Sequence, residues 1–102
     1  MAEWHRVASS DQVELETPFP LRVGDEQICV VRMPDGLFAI NDVCTHEYAL
    51  LSDGYFEDGK LECPLHQACF EIRTGKALNE PADVDVATYP VKEEDGAVFV
   101  QV

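Results

Sequence analysis

The chain lacks any long hydrophobic run. Its longest apolar stretches, "ICVV", "LFAI", "YALL" and "AVFV", are four residues each, where a membrane-crossing helix needs about 20. Cations are scarce as well: 7 Lys and Arg face 20 Asp and Glu, a formal net charge of -13. Nucleic acid and anionic lipid surfaces would repel such a chain, so neither is an expected partner. No G-x-G-x-x-G loop is present to cradle a dinucleotide, and no nucleophile–base pair stands out. The opening "MAEWHRVASS" has neither a basic start nor an apolar stretch. No export signal is visible, so the cytoplasm is the expected location. Structural disulfides are uncommon there, and the four cysteines read first as metal ligands or free thiols.

With 102 residues, 46% of them hydrophobic and 26% charged, the chain has the makings of one small globular domain. Four of its six glycines follow an aspartate, at 35–36, 53–54, 58–59 and 95–96. Asp-Gly between apolar segments is a strong hairpin signal. The segments 28–32, 37–41, 60–62, 69–72, 84–89 and 97–102 are short and rich in β-branched or aromatic residues. None sustains a helical period, although 9–15 could hold one helical turn after an N-cap serine. Pro18 and Pro20 mark an irregular or edge segment. An all-β fold is expected, an antiparallel sandwich or partly open barrel.

The chemistry concentrates in residues 44–66, which hold two of the three histidines and two of the cysteines. They form mixed pairs: Cys44-Thr45-His46, then sixteen residues, then Cys63-Pro64-Leu65-His66. Zinc modules usually group like with like, two cysteines and then two histidines. A structural zinc-binding module therefore stays open by ligand type, and the spacing makes it the weaker reading. Two loop tips that each present one thiolate and one imidazole suit a binuclear cluster better. Each loop then sends its cysteine to one iron and its histidine to the other, the Rieske form of a [2Fe-2S] centre.

Beyond the ligand pairs, the chain carries "LSDG", "LECPLH", "CFEIRTGKA", "NEPADVDVATYPV" and "GAVFV" in that order. With them it resembles the Rieske-type ferredoxins of bacterial ring-hydroxylating (aromatic-compound) oxygenase systems. The resemblance implies an antiparallel β-sandwich base, here roughly 1–41 and 82–102. It further implies a small cluster-binding subdomain, roughly 42–81, holding one [2Fe-2S] cluster. Cys44 and Cys63 would bind one iron, and His46 and His66 the other. Pro81 falls where the family has a loop covering the cluster. Pro64 and Gln67 would lie close to it, Gln67 standing where many members have glycine.

Respiratory Rieske proteins brace the two loops with a disulfide and place a serine and a tyrosine hydroxyl beside the cluster. The matching positions here are Ala49 and Leu65, then Ala68 and Phe70, so neither the bridge nor the two donors can be present. Donors to the sulfurs favour the reduced, more negative state, so their absence predicts a potential near the low end of the range, about −150 mV. Cys29 is expected to be a small core residue, and Cys69 a packed free thiol. His5 reads as structural or exposed. Trp4, Phe38, Phe70 and Tyr89 read as core or loop support.

A terminal oxygenase would need a mononuclear iron held by two further histidines and a carboxylate. Only His5 remains, so the chain is expected not to be an enzyme. The resemblance implies an electron carrier in aromatic hydrocarbon catabolism, serving a flavoprotein ferredoxin reductase and a terminal oxygenase component, with the histidine edges as the electron's exit. Glu47, Asp53, Glu57, Asp58 and Glu62 lie in or between the cluster loops, and some of them would ring the docking face and meet basic residues on both partners. Nothing points to a large apolar interface, so a monomer is expected. The alternative within the fold is a small Rieske-like subunit of another oxidoreductase, of the nitrite-reductase type.

Overall fold

In the computed structural model the described residues are 3–45, 49–65, 68–79 and 84–102. They form ten strands: β1 (Trp4–Ser9), β2 (Phe19–Val23), β3 (Glu26–Met33), β4 (Gly36–Asn41), β5 (Tyr55–Glu57), β6 (Lys60–Glu62), β7 (Cys69–Glu71), β8 (Thr88–Tyr89), β9 (Val91–Glu94) and β10 (Ala97–Gln101). Two short 3-10 turns interrupt them, Ser10–Gln12 and Leu51–Asp53. The strands make three antiparallel sheets, ordered β1-β10-β9, β2-β3-β4-β8 and β5-β6-β7. The fold is all-β, as expected, and none of its described helical turns is long and apolar enough to cross a membrane.

β3 organises the interior. Its inner residues alternate between two buried cores: Ile28 and Val30 enter one with Ala8, Val13, Ala39, Val98 and Val100. Cys29, Val31 and Met33 enter the other with Ile40, Leu51, Leu61, Phe70 and Ile72. A strand buried on both faces has no polar side to alternate with, which is why "ICVV" runs unbroken. Fully burying side chains such as Leu61 and Phe70 stabilises by about 1.5–3 kcal/mol each.

Three of the Asp-Gly pairs close hairpins, β3–β4, β5–β6 and β9–β10. At Asp58-Gly59 and Asp95-Gly96 both residues have positive φ, 48° and 76°, then 50° and 76°, as a two-residue type I′ turn requires. The fourth differs. Asp53-Gly54 ends the 3-10 turn that leads into β5, and its glycine answers a different need: a Cβ there would collide with the Glu62 carbonyl and lie 3.2 Å from Pro64 Cδ. The expected strand at 84–89 shrinks to Thr88–Tyr89, because the Val86 amide bonds singly to the Gly75 carbonyl at 2.8 Å instead of joining a ladder. The proline-marked segment is the edge strand β2. Ser9 stands before a turn, held as its amide donates to Gln12 Oε1 at 2.8 Å.

Arg32, on β3, ties the sheets together. Its Nε donates to the Val13 carbonyl at 2.8 Å, and its Nη2 to the Ser10 carbonyl and to Glu93 Oε2 on β9. Arg73, after β7, reaches Asp35 in the β3–β4 turn through two hydrogen bonds of 2.9 and 2.7 Å. It also lies over the Phe38 ring.

Candidate metal centre

Cys44 and Cys63 are 3% and 1% exposed and belong to the same buried core. Each begins a six-residue loop closed in the same way: the Cys44 amide donates to the Ala49 carbonyl at 2.8 Å, and the Cys63 amide to the Ala68 carbonyl at 2.6 Å. The two loops are therefore closed by the same bond, each with a cysteine at its first position. The Leu65 amide also donates to Cys63 Sγ at 3.4 Å, the type of contact that stabilises a thiolate. The stems differ. The second loop rises from the β6–β7 ladder, with Glu62 opposite Cys69 at its last rung. The first has a single bridge, Val43 to Leu50.

Around these loops the chain is tied by side chains. Thr45 Oγ1 donates to the Val84 carbonyl at 2.6 Å. The Cys69 amide donates to Asn79 Oδ1, and the Ala77 amide to Asp85 Oδ1, both at 2.8 Å. These contacts tie the flanks of 80–83 to the first cysteine loop, to the start of β7 and to each other. His46, Glu47, His66, Gln67 and Pro81 lie outside the described residues. Among the described residues no three His, Cys, Asp or Glu side chains converge as a metal site.

The remaining expectations are met in part. Ala68 and Phe70 are fully buried beside the two cysteines and offer no side-chain donor. Ala49 is half-buried, Leu65 is 43% exposed, and no disulfide joins any of the four cysteines. Cys29 is fully buried; burial, and then the charge of Asp42, push its thiol far above the usual range. Cys69 is half-buried, its thiol raised first by burial and then by Glu62. Pro64 is exposed, its ring against Gly54. His5 is half-buried in β1. Phe38 packs on the cysteine-bearing core and Tyr89 on the other, whereas Trp4 is 40% exposed and covered by Lys92 Nζ, 4.5 Å from its ring centre.

Asp53, Glu57 and Asp58 are exposed, and Glu62 is half-buried. On the β5–β6–β7 sheet the pairing places Tyr55, Glu62 and Cys69 in one row, and Glu57, Lys60 and Glu71 in the next. Leu61 and Phe70 face inward, so these two rows face out, where Tyr55, Glu57, Lys60, Glu62 and Cys69 line a cleft of about 410 Å³.

Reasoning from sequence missed Asp42 and Ser52. Asp42 is buried, and Ser52 donates to it from both its amide (2.7 Å) and its hydroxyl (2.6 Å). No local signal marks a pair ten residues apart across a loop. The structure's own donor set fits a thiolate-ligated cluster: two buried cysteines in matched loops, one with a backbone donor on its sulfur, set in an apolar core.

The family model for the Rieske [2Fe-2S] domain matches residues 3–90. The anthranilate 1,2-dioxygenase ferredoxin subunit of Burkholderia cepacia is 43% identical over 102 residues, 100% of this chain and 94% of that protein. The solved ferredoxin of carbazole 1,9a-dioxygenase from Nocardioides aromaticivorans IC177 superposes with a TM-score of 0.90 at 33% identity, over 95% of each chain. A chain in the complex of reduced oxygenase and oxidised ferredoxin in carbazole 1,9a-dioxygenase gives 0.88 at 32% identity, over 95% of this chain and 91% of that one.

Proposed function

The chain belongs to the Rieske [2Fe-2S] family, and from that membership we propose that it carries single electrons from a flavoprotein ferredoxin reductase to a terminal oxygenase of an aromatic-compound dioxygenase system. The observation that carries this reading is the pair of matched loops, each opened by a buried cysteine and both set in one core. A related structure pairs an oxygenase with a ferredoxin, which supports the oxygenase side. The role is that of a carrier component, not a catalyst, in keeping with relatives named as ferredoxin subunits. Those names favour a carrier over a nitrite-reductase-type subunit, and the family description favours iron over a zinc module.

The cofactor is one Rieske-type [2Fe-2S] cluster, which supplies a one-electron store. Cys44 and Cys63 would hold one iron and His46 and His66 the other, with Pro64, Gln67 and Pro81 expected close by. The fully buried Ala68 and Phe70 keep water away and offer no hydroxyl, so the potential sits near −150 mV. The cluster-binding part is roughly 42–81, on a base of 1–41 and 82–102. Some of Glu47, Asp53, Glu57, Asp58 and Glu62, of which Asp53, Glu57 and Asp58 are exposed, would meet basic residues of both partners. The carrier acts as a monomer in the cytoplasm. Adding NADH and a dioxygenase-system reductase should bleach the protein, and an oxygenase with its aromatic substrate should restore the colour. A protein that neither bleaches with the reductase nor recolours with the oxygenase contradicts the reading.

A further inference from the structure

Two loops closed by the same backbone bond stand on unequal foundations. The Cys63 loop grows from three paired positions, Lys60 with Glu71, Leu61 with Phe70, and Glu62 with Cys69. Beneath the Cys44 loop the ladder is a single bridge, Val43 to Leu50, flanked by the Leu51 amide on the Asp42 carbonyl at 2.7 Å. Below that rung the chain turns into the 3-10 segment Leu51–Asp53, and regular pairing stops. At that point Asp42 turns its carboxylate inward. It is the one buried charged side chain among the described residues, 2% exposed. Oδ1 accepts the Ser52 amide and Oδ2 the Ser52 hydroxyl, while the Asp42 amide donates to the Gln27 carbonyl on β3 at 2.8 Å.

A buried carboxylate is costly to place and is kept only where it is fully bonded. Its two bonds to Ser52 close the stem of the first loop, while the main-chain bond to Gln27 fastens that stem to the central strand. We infer that Asp42 is a positioning residue for the first ligand loop: through Ser52 it does for Cys44 what the β6–β7 ladder does for Cys63. This rests on the functional reading above. The contribution is geometric, so an amide should serve. In Asp42→Asn the side-chain carbonyl would still accept the Ser52 amide, and the new NH2 would donate to the Ser52 hydroxyl.

The test uses the purified holoprotein and follows iron release to a chelator, with the electron paramagnetic resonance spectrum of the reduced protein alongside. Asp42→Ala should release iron at least about tenfold faster, since it removes two bonds to a buried charged acceptor. Its spectrum should broaden or shift. Ser52→Ala keeps the charge and removes one bond; it should release iron about threefold faster, and it carries the test if Asp42→Ala does not fold. Asp42→Asn should return to within about threefold of the natural rate and keep its spectrum. Val30→Ala, in the opposite core, should lower overall stability and leave release within about twofold, because loop opening is local. Natural rates and spectra in both Asp42→Ala and Ser52→Ala overturn the inference. So does an Asp42→Asn protein as impaired as Asp42→Ala, which would make charge, not geometry, the cause. A natural protein without iron and sulfide overturns the functional reading, and the inference with it.

Discussion

Ala68→Ser places one hydroxyl at the foot of the second loop. Ala68 is fully buried, its carbonyl takes the Cys63 amide at 2.6 Å, and it shares a core with Cys44 and Cys63. A hydroxyl in this apolar core, which it shares with both cysteines, would be expected to donate to a sulfur. A buried hydroxyl left without a partner costs about 1–3 kcal/mol. A hydrogen bond to an acceptor that gains negative charge strengthens, by roughly the gap between neutral and charged bonds, about 1–1.5 kcal/mol. For a one-electron couple 1.4 kcal/mol is about 59 mV. The variant should therefore rise by about 60 mV from a starting value near −150 mV, while its urea midpoint stays close to the natural one. Redox titration and urea unfolding read the two quantities separately. Natural stability with an unchanged potential would refute the reasoning, because the hydroxyl would then be satisfied away from the sulfurs.

Three further outcomes follow from the geometry. Gly54→Ala should destabilise by about 1–3 kcal/mol, because its methyl meets the Glu62 carbonyl; a melting temperature within about 2 °C of the natural one would contradict this. The Arg32 guanidinium holds the Glu93 carboxyl down to about 2. Its stabilisation is full above the usual carboxylate range and is lost as pH falls from about 4.5 to about 2. Glu93→Gln should lower stability by about 0.5–1 kcal/mol at pH 7, a value kept small by solvent, and by nothing near pH 2; an equal deficit at both pH values would be inconsistent with that pairing. Glu57→Lys should lower kcat/KM for reduction by the reductase without changing the visible spectrum, and added salt should shrink the difference. A variant indifferent to salt, or as fast as the natural protein, argues against docking on that face.

Much of the fold could be read in advance because its signals are local. Asp58-Gly59 and Asp95-Gly96 adopt positive φ at both residues, a demand the dipeptide itself meets. The β-branched run of β3 marks a strand in advance, whereas its burial on two sides is a property of the folded chain. The two cysteine loops are legible because each needs only its own few residues to place a cysteine. The misreadings share a cause in distance. Asp53-Gly54 has the hairpin dipeptide, yet its glycine serves a close approach to Glu62, eight residues on. β9, "VKEE", has a poor strand composition and owes its state to β10 across a hairpin. The Asp42–Ser52 clamp joins two ordinary residues whose meeting only the folded loop decides.

The most direct test of the central claim is a redox titration of the purified protein followed by electron paramagnetic resonance. The account predicts a reduced signal of a histidine-ligated [2Fe-2S] centre, half-formed near −150 mV. The same signal at clearly positive potential would contradict the roles assigned to Ala68 and Phe70. No signal from a metal-replete sample would contradict the carrier itself.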